Sequence, residues 1–329
     1  MSATLLVILL SAVSFGCWMY LYVSRPGPDS IEENVVVLIP KGAGLKEISR
    51  ILADRGLIRD DPRFLLLAKY LGVATRLQAG EFLLAANRLP ADVLQSLVDA
   101  RPLHHRLTIP EGLRLEEIAD RFAADGWVNR ENFIRLAQDP AFTKSLGVEG
   151  VETLEGYLFP DTYLLPRDFR GEEKIITLMV NRFQKMWSDL EQEPQAGMSV
   201  NDVVTLASII EKETGQAAER PRIASVFHNR LKRNMRLQSD PTVIYGIENF
   251  SGNLTRKDLK TPTPFNTYVI KGLPPHPICN PGKEAVVAVL EPEESKFIFF
   301  VSKNDGSHHF STSLKEHNRA VNRYQRKKK

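Results

Sequence analysis

Two glutamates close the stretch "VVTLASIIEKETG", residues 203–215, and a carboxyl group ending an apolar helix is a candidate acid catalyst. With successive residues about 100° apart, Val203, Val204, Leu206, Ala207, Ile209, Ile210 and Thr214 share one broad arc. Glu211 falls inside that arc and Glu213 in its other flank, while Lys212 points the opposite way with Thr205 and Ser208. Ser199 with Asp202 resembles a capping box, so the helix should start near Ser199 and stop near Gly215. A carboxyl in the last turn meets the unfavourable end of the helix dipole, and apolar surroundings favour its protonated form. A general acid needs that form near neutral pH. The competing expectation is structural: either glutamate could pair with Arg220, Arg222 or Arg230.

The segments that follow, "SVFHNRLKRNMRLQSDPTVIYG" (225–246) and "TPTPFNTYVIKGLPPHPICNPG" (261–282), mix amides, hydroxyls and aromatics with turn residues. Such loops suit the walls of a sugar-binding cleft. His308, His309 and His317 lie in "GSHHFSTSLKEHN", without the HExxH or cysteine spacing of zinc sites, so no metal is expected. No cofactor is implied either.

Positioning these residues takes a long chain: 329 residues, 43% hydrophobic and 25% charged, enough for two domains of about 150 residues each. A formal net charge of +3 argues against nucleic acid as the main partner. The only basic run, the tail "RYQRKKK", reads as a solvated end. Cys17 and Cys279 make no disulfide framework and leave the redox compartment open. Residues 4–23, "TLLVILLSAVSFGCWMYLYV", carry no charge and match the roughly 20 residues that cross a bilayer. They read as a single anchor, with Trp18, Tyr20 and Tyr22 at an interface, and too long an apolar run for a cleaved signal peptide. Arg25, the nearest basic residue, taken alone favours a cytoplasmic body.

After a linker "SRPGPDS" comes an internal near-repeat: "IPKGAGLKEISRILADRGLI" from Ile39 and "IPEGLRLEEIADRFAADGWV" from Ile109. Each copy reads as a strand end, a Pro-Gly turn and a helix closed by Gly56 or Gly126. The first copy should continue with a helix near Pro62 to Leu71, a strand in "LQAGEFLLAA" and a helix in "LPADVLQSLVDA". Boundaries are expected at "ARPLHHR" (100–106) and "LEQEPQAGM" (190–198).

Five ordered blocks carry a resemblance: "LEGYLFPDTY" (154–163), "ASIIEKET" (207–214), "RLQSDPTVIYG" (236–246), "FNTYVIKGLPPHPICNPG" (265–282) and "HHFSTSLKEHN" (308–318). The chain resembles the endolytic murein transglycosylases, the YceG-like family. That resemblance implies an α+β fold: a transmembrane anchor at 1–24, a small LysM-like mixed α/β module at 25–105, a second near-repeat and connector at 106–150, and a larger catalytic domain at 151–329. It implies cleavage of the β-1,4 bond between N-acetylmuramic acid and N-acetylglucosamine, with a 1,6-anhydro end as product and an end to strand elongation. It further implies an inner-membrane protein with its catalytic domain in the periplasm, near penicillin-binding synthases, against the hint from Arg25. The first glutamate of the "EKET" block, Glu211, is the catalytic residue expected from it. Gln238, Asp240, Thr242, Tyr245, Asn266, Tyr268, His309 and Asn318 are the expected substrate contacts, although Asp240 could only start a turn and the tyrosines could be core. Glu155 is a second acidic candidate, or a brace for the cleft. A muramidase using Glu213 or Asp240 as its second carboxyl, and a noncatalytic peptidoglycan-binding scaffold, are the alternatives; Glu213 lies about 200° around the helix from Glu211, which disfavours both flanking one bond.

Overall fold

The computed structural model describes residues 3–28, 32–99, 101–194, 197–248, 250 and 252–326. Parts of three expected segments, the linker at 24–30, the boundary at 100–106 and the basic tail, lie outside the described residues, as do residues 195–196 of the boundary at 190–198. The chain forms two compact units, one of Met1–Leu107 with Tyr163–Phe169, the other of Thr108–Thr162 with Arg170–Lys329.

The first unit opens with helix α1 (Ala3–Val23), apolar, exposed for most of its length and long enough to be compatible with a single membrane span. Strand β1 (Asn34–Ile39), helices α2 (Leu45–Asp54) and α3 (Arg63–Tyr70), strand β2 (Gly80–Ala85), helix α4 (Pro90–Asp99) and strand β3 (His104–Thr108) follow. β1 and β2 pair antiparallel from Asn34↔Ala85 to Ile39↔Gly80. Strict alternation in β1 turns Val35, Val37 and Ile39 inward, where they meet Ile48 and Leu52 of α2, Phe64 of α3 and Leu94 and Leu97 of α4. Tyr22, on the last turn of α1, belongs to the same core.

In the second unit lie α5 (Leu115–Ala124), α6 (Arg130–Ala137) and α7 (Pro140–Ser145). Strand β4 (Thr162–Pro166), which returns to the first unit from Tyr163 on, pairs with β3. The second unit continues with α8 (Glu172–Ser188), α9 (Val200–Glu213), α10 (Arg220–Lys232), α11 (Asp240–Tyr245) and α12 (Lys283–Leu290), then strands β5 (Phe299–Ser302) and β6 (His308–Ser311) and helix α13 (Leu314–Tyr324). β5 and β6 form an antiparallel hairpin in which Val301 faces His309. The near-repeat produces the same local structure twice: α2 and α5 start six residues after the shared isoleucine, at Leu45 and Leu115. Gly42 and Gly112, at φ +81° and +78°, make the turn before each helix, and Gly56 and Gly126, at +71° and +67°, end it in the left-handed region open to glycine.

Helix α9 carries the acidic pair. Its capping box is formed, with the Ser199 hydroxyl accepting from the Asp202 amide at 3.1 Å and the Asp202 carboxylate accepting from the Ser199 amide at 2.8 Å. The amphipathic arc expected for it is not the whole picture, because Thr205 and Ser208 are buried as well. The Ser208 hydroxyl serves the backbone instead of water, donating to the Thr205 carbonyl at 2.7 Å and accepting from the Ile278 amide at 3.0 Å, while the Thr205 hydroxyl has no hydrogen-bond partner among the described residues. α9 is therefore a central helix, packed by α10, α11 and α12, and its last turn reaches a cavity through Glu213.

Candidate active site

The two carboxyls of the last turn of α9 have different surroundings. Glu211 is 7% exposed; one oxygen accepts from Arg220 Nη2 at 3.0 Å and the other from the Gly282 amide at 3.0 Å. Arg220, itself 10% exposed, lies 3.6 Å from Glu111 as well. Lys212 donates to the Gly112 carbonyl at 3.2 Å. Glu211 thus stitches α9 to the start of α10 and to the loop before α12, which is the structural pairing weighed for it above.

Glu213 instead lines a cleft of about 550 Å³ together with Gln238, Asp240, Tyr268, Phe299 and Asn318. One of its oxygens accepts from the Ser239 hydroxyl at 2.5 Å. Burial pushes its pKa up to about 7, against the lowering effect of the Ser239 bond and of Arg230. Arg230 is fixed from three sides: Nε donates to the Ile298 carbonyl and Nη1 to the Leu237 carbonyl, both at 2.7 Å, and Phe299 covers the guanidinium with its ring centroid at 5.1 Å. Asp240 accepts from the Tyr268 hydroxyl at 2.6 Å, so a carboxylate and a phenol are held as a pair on the cleft wall. Gln238 has a positive φ of 52°, uncommon for a side-chain-bearing residue, and is held there by its amide bond to the Thr267 carbonyl at 3.1 Å.

Of the residues expected from sequence, the cleft therefore gathers Gln238, Asp240, Tyr268 and Asn318, with Glu213 among them. Thr242 is fully buried and bonds the Ser239 carbonyl at 2.6 Å and the Thr267 hydroxyl at 2.8 Å. Asn266, also fully buried, clamps the Thr261 carbonyl at 2.8 Å and the Tyr268 amide at 2.9 Å. Both hold the loop that presents Tyr268 and reach no cleft themselves. His309 sits beside Tyr324, ring centroids 5.8 Å apart, outside the residues that line the cleft. His308 bonds Glu219 at 2.7 Å, and His317 stacks on Phe299 at 5.0 Å. Among the described residues, no three metal-capable side chains converge.

Tyr245 and Glu155 belong to a second, smaller cavity of about 220 Å³ with His276. Glu155 is 1% exposed and accepts from the Leu115 amide at 3.1 and 3.2 Å, Asn280 Nδ2 at 2.8 Å and the Tyr245 hydroxyl at 3.3 Å. Burial nevertheless pushes its pKa up to about 8, the Leu115 bond opposing. Asn280 accepts in turn from the amides of Gly156 and Leu158, at 2.9 and 2.8 Å. The block around Glu155 is thereby tied to the start of α5, the end of α11 and the loop before α12.

Residues 37–323 match the model of the YceG-like family. The chain belongs to that family. A Bacillus subtilis (strain 168) protein named endolytic murein transglycosylase is 33% identical over 315 residues, covering 91% of this chain and 87% of the relative. A Streptococcus pneumoniae (strain D39) protein of the same name is 29% identical over 348 residues; this chain spans 62% of that relative's length. The crystal structure of a YceG-like protein from Listeria monocytogenes matches with a TM-score of 0.58 and 33% identity, covering 87% of this chain and 98% of the other. Within this YceG-like chain, sequence reasoning passed over Arg230, Phe299 and His317 as cleft residues. Arg230 was visible as a possible ion-pair partner, but its fixed place depends on carbonyls of residues 237 and 298, far apart in sequence, which no local pattern encodes.

Proposed function

We propose that this YceG-like chain is an endolytic murein transglycosylase, with Glu213 in place of the expected Glu211 as its acid and base. The observation that carries the assignment is the position of Glu213: it is the half-buried carboxyl lining the cleft with Asp240, Tyr268, Gln238 and Asn318, with a pKa raised by desolvation to about 7. Glu211 has both oxygens committed to Arg220 and the Gly282 amide. In the proposed reaction, protonated Glu213 gives its proton to the glycosidic oxygen as the bond from muramic acid C1 breaks. The developing oxocarbenium is stabilised by the Asp240 carboxylate, whose orientation Tyr268 fixes. Glu213, now a carboxylate steadied by Ser239 and Arg230, takes the proton of the muramic acid 6-hydroxyl as that oxygen attacks C1. The nucleophile belongs to the substrate, so no water is consumed and the product carries a 1,6-anhydro end.

With this activity we place the anchor at 1–24, in the inner membrane, a LysM-like module at 25–105, a connector at 106–150 and the catalytic domain at 151–329, on the periplasmic side where glycan strands are made. Penicillin-binding synthases are the partners proposed there. Digestion of purified glycan strands followed by mass analysis tests the reaction: an anhydro end is lighter by one water than a hydrolytic reducing end. Hydrolytic ends would favour a muramidase, and no cleavage a binding scaffold.

A further inference from the structure

The junction between the anchor helix and the first unit is not a free linker. Met19, Tyr22 and Val23 of α1 pack into the core of that unit, and Tyr22 is 3% exposed. Arg63, the first residue of α3, grips the same turn of α1: Nη1 donates to the Trp18 carbonyl at 2.7 Å, and the guanidinium lies 5.0 Å from the Trp18 ring centroid and 4.9 Å from that of Tyr22. Its remaining nitrogens are held by Asp61 at 2.6 to 3.0 Å. α1 has 21 residues, and at about 1.5 Å each a helix of that length spans a hydrocarbon core of about 30 Å. The turn that Arg63 grips is then at headgroup level.

On α3, residues three and seven positions after Arg63 share its face, and these are Leu66 and Tyr70. Both are exposed, Leu66 by 41% and Tyr70 by 87%, and Leu71 beside them by 44%, while Phe64, Leu67 and Ala68 fill the core. A single exposed leucine needs no explanation. Here, however, the exposed apolar stripe starts from the side chain that clasps the anchor, and Tyr70 is only about 10 Å of helix rise from Arg63. We propose that Leu66, Tyr70 and Leu71 seat the first unit on the lipid–water interface of the same membrane. Tyrosine favours that layer because its ring enters the acyl boundary while its hydroxyl stays wet, and the adjacent exposed Lys69 can reach lipid phosphate. The unit would then lie against the bilayer instead of swinging from a tether. This inference rests on the proposed anchor.

The test uses the full chain in phosphatidylethanolamine and phosphatidylglycerol vesicles, with Cys17→Ser removing the exposed native thiol and Cys279 buried. A fluorophore is attached at Tyr70→Cys, at Leu9→Cys inside the anchor, or at Arg50→Cys on the exposed side of α2, with lipids carrying a nitroxide near the headgroup as quencher for positions 70 and 50 and lipids carrying one at mid-acyl depth for position 9. Quenching at position 70 at least about threefold above that at position 50 is expected. Equal quenching at 70 and 50, with position 9 strongly quenched, overturns the seat while leaving the anchor intact. No quenching at position 9 overturns the anchor and the seat together. Self-quenching at position 70 that grows with protein density, without lipid quenching, assigns the stripe to a second copy and also overturns the proposal.

Discussion

At the residue scale, two carboxyls two positions apart are separated by what their oxygens meet. Glu213→Gln keeps shape and hydrogen bonding but removes the transferable proton, so the rate of anhydro-end formation should fall by at least about 10²- to 10⁴-fold with the fold intact. Glu211→Gln should behave in the opposite way, leaving activity within a few-fold and weakening the hold on Arg220. That arginine is 10% exposed and its Nε already has no partner, so the cost should be about 1–3 kcal/mol in denaturant unfolding. Loss of activity without loss of stability in Glu211→Gln would return the acid to the residue expected from sequence. The raised pKa of Glu213 also sets the pH dependence. kcat/KM should decline as pH rises through about 7, because the acid form is lost there.

At the scale of elements, α9 works because its start is fixed and its flanks are full. Ser199→Ala removes the hydroxyl that caps the Asp202 amide and should cost about 1 kcal/mol, read as a lower unfolding midpoint with unchanged slope. Gly156 is tighter still: φ is +91°, and a Cβ there would collide with Pro277 and press Val204 Cγ1 of α9 at 2.9 Å. Gly156→Ala should cost at least about 2 kcal/mol by the same measurement. Much at this scale was legible in the sequence. The capping box, the paired Pro-Gly turns at Gly42 and Gly112, the helix after Pro62 and the strand in "GEFLLA" follow from local rules and are present. The cleft was only half legible. Gln238, Asp240, Tyr268 and Asn318 were expected from the blocks that resemble the family and line the cleft, but Thr242 and Asn266, from the same blocks and equally polar in sequence, bond their own loops. Polar type alone does not tell a residue that bonds its own loop from one that faces a ligand. The periodic arc of α9 held both Glu211 and Glu213 and did not choose between them, for a related reason. With Thr205 and Ser208 buried too, the direction of an apolar face says little about which flank opens on the cleft.

At the scale of the whole molecule, burial of two carboxyls makes stability depend on pH in an unusual direction. Glu155 and Glu213 have folded pKa values of about 8 and about 7, above the ordinary 4.5, so the folded state binds more protons than the unfolded state between those limits. Their contribution is full below the ordinary value and is lost as pH rises through the folded values. Buried His228 and half-buried His276 and His317 act in the reverse sense, since desolvation lowers their pKa from 6.5 and folding therefore releases protons around that pH. The histidine contribution fades over about the next pH unit above it, and the carboxylates whose pKa is lowered, Asp61, Asp258, Asp305 and Glu316, titrate well below it. From about pH 7 to 8 the carboxyl effect should outweigh that of the histidines, and unfolding free energy should fall with pH, by at most about 1.4 kcal/mol per pH unit for each carboxyl still protonated. Glu155→Gln retains an oxygen for the Leu115 amide and cannot ionise, so it should flatten most of that slope and gain on the native chain as pH rises. Denaturant unfolding at several pH values between about 7 and 8.5 measures both curves. A native chain whose stability is flat or rising across that range would mean that Glu155 is ionised in the folded state, its charge held by Leu115, Asn280 and Tyr245 despite burial.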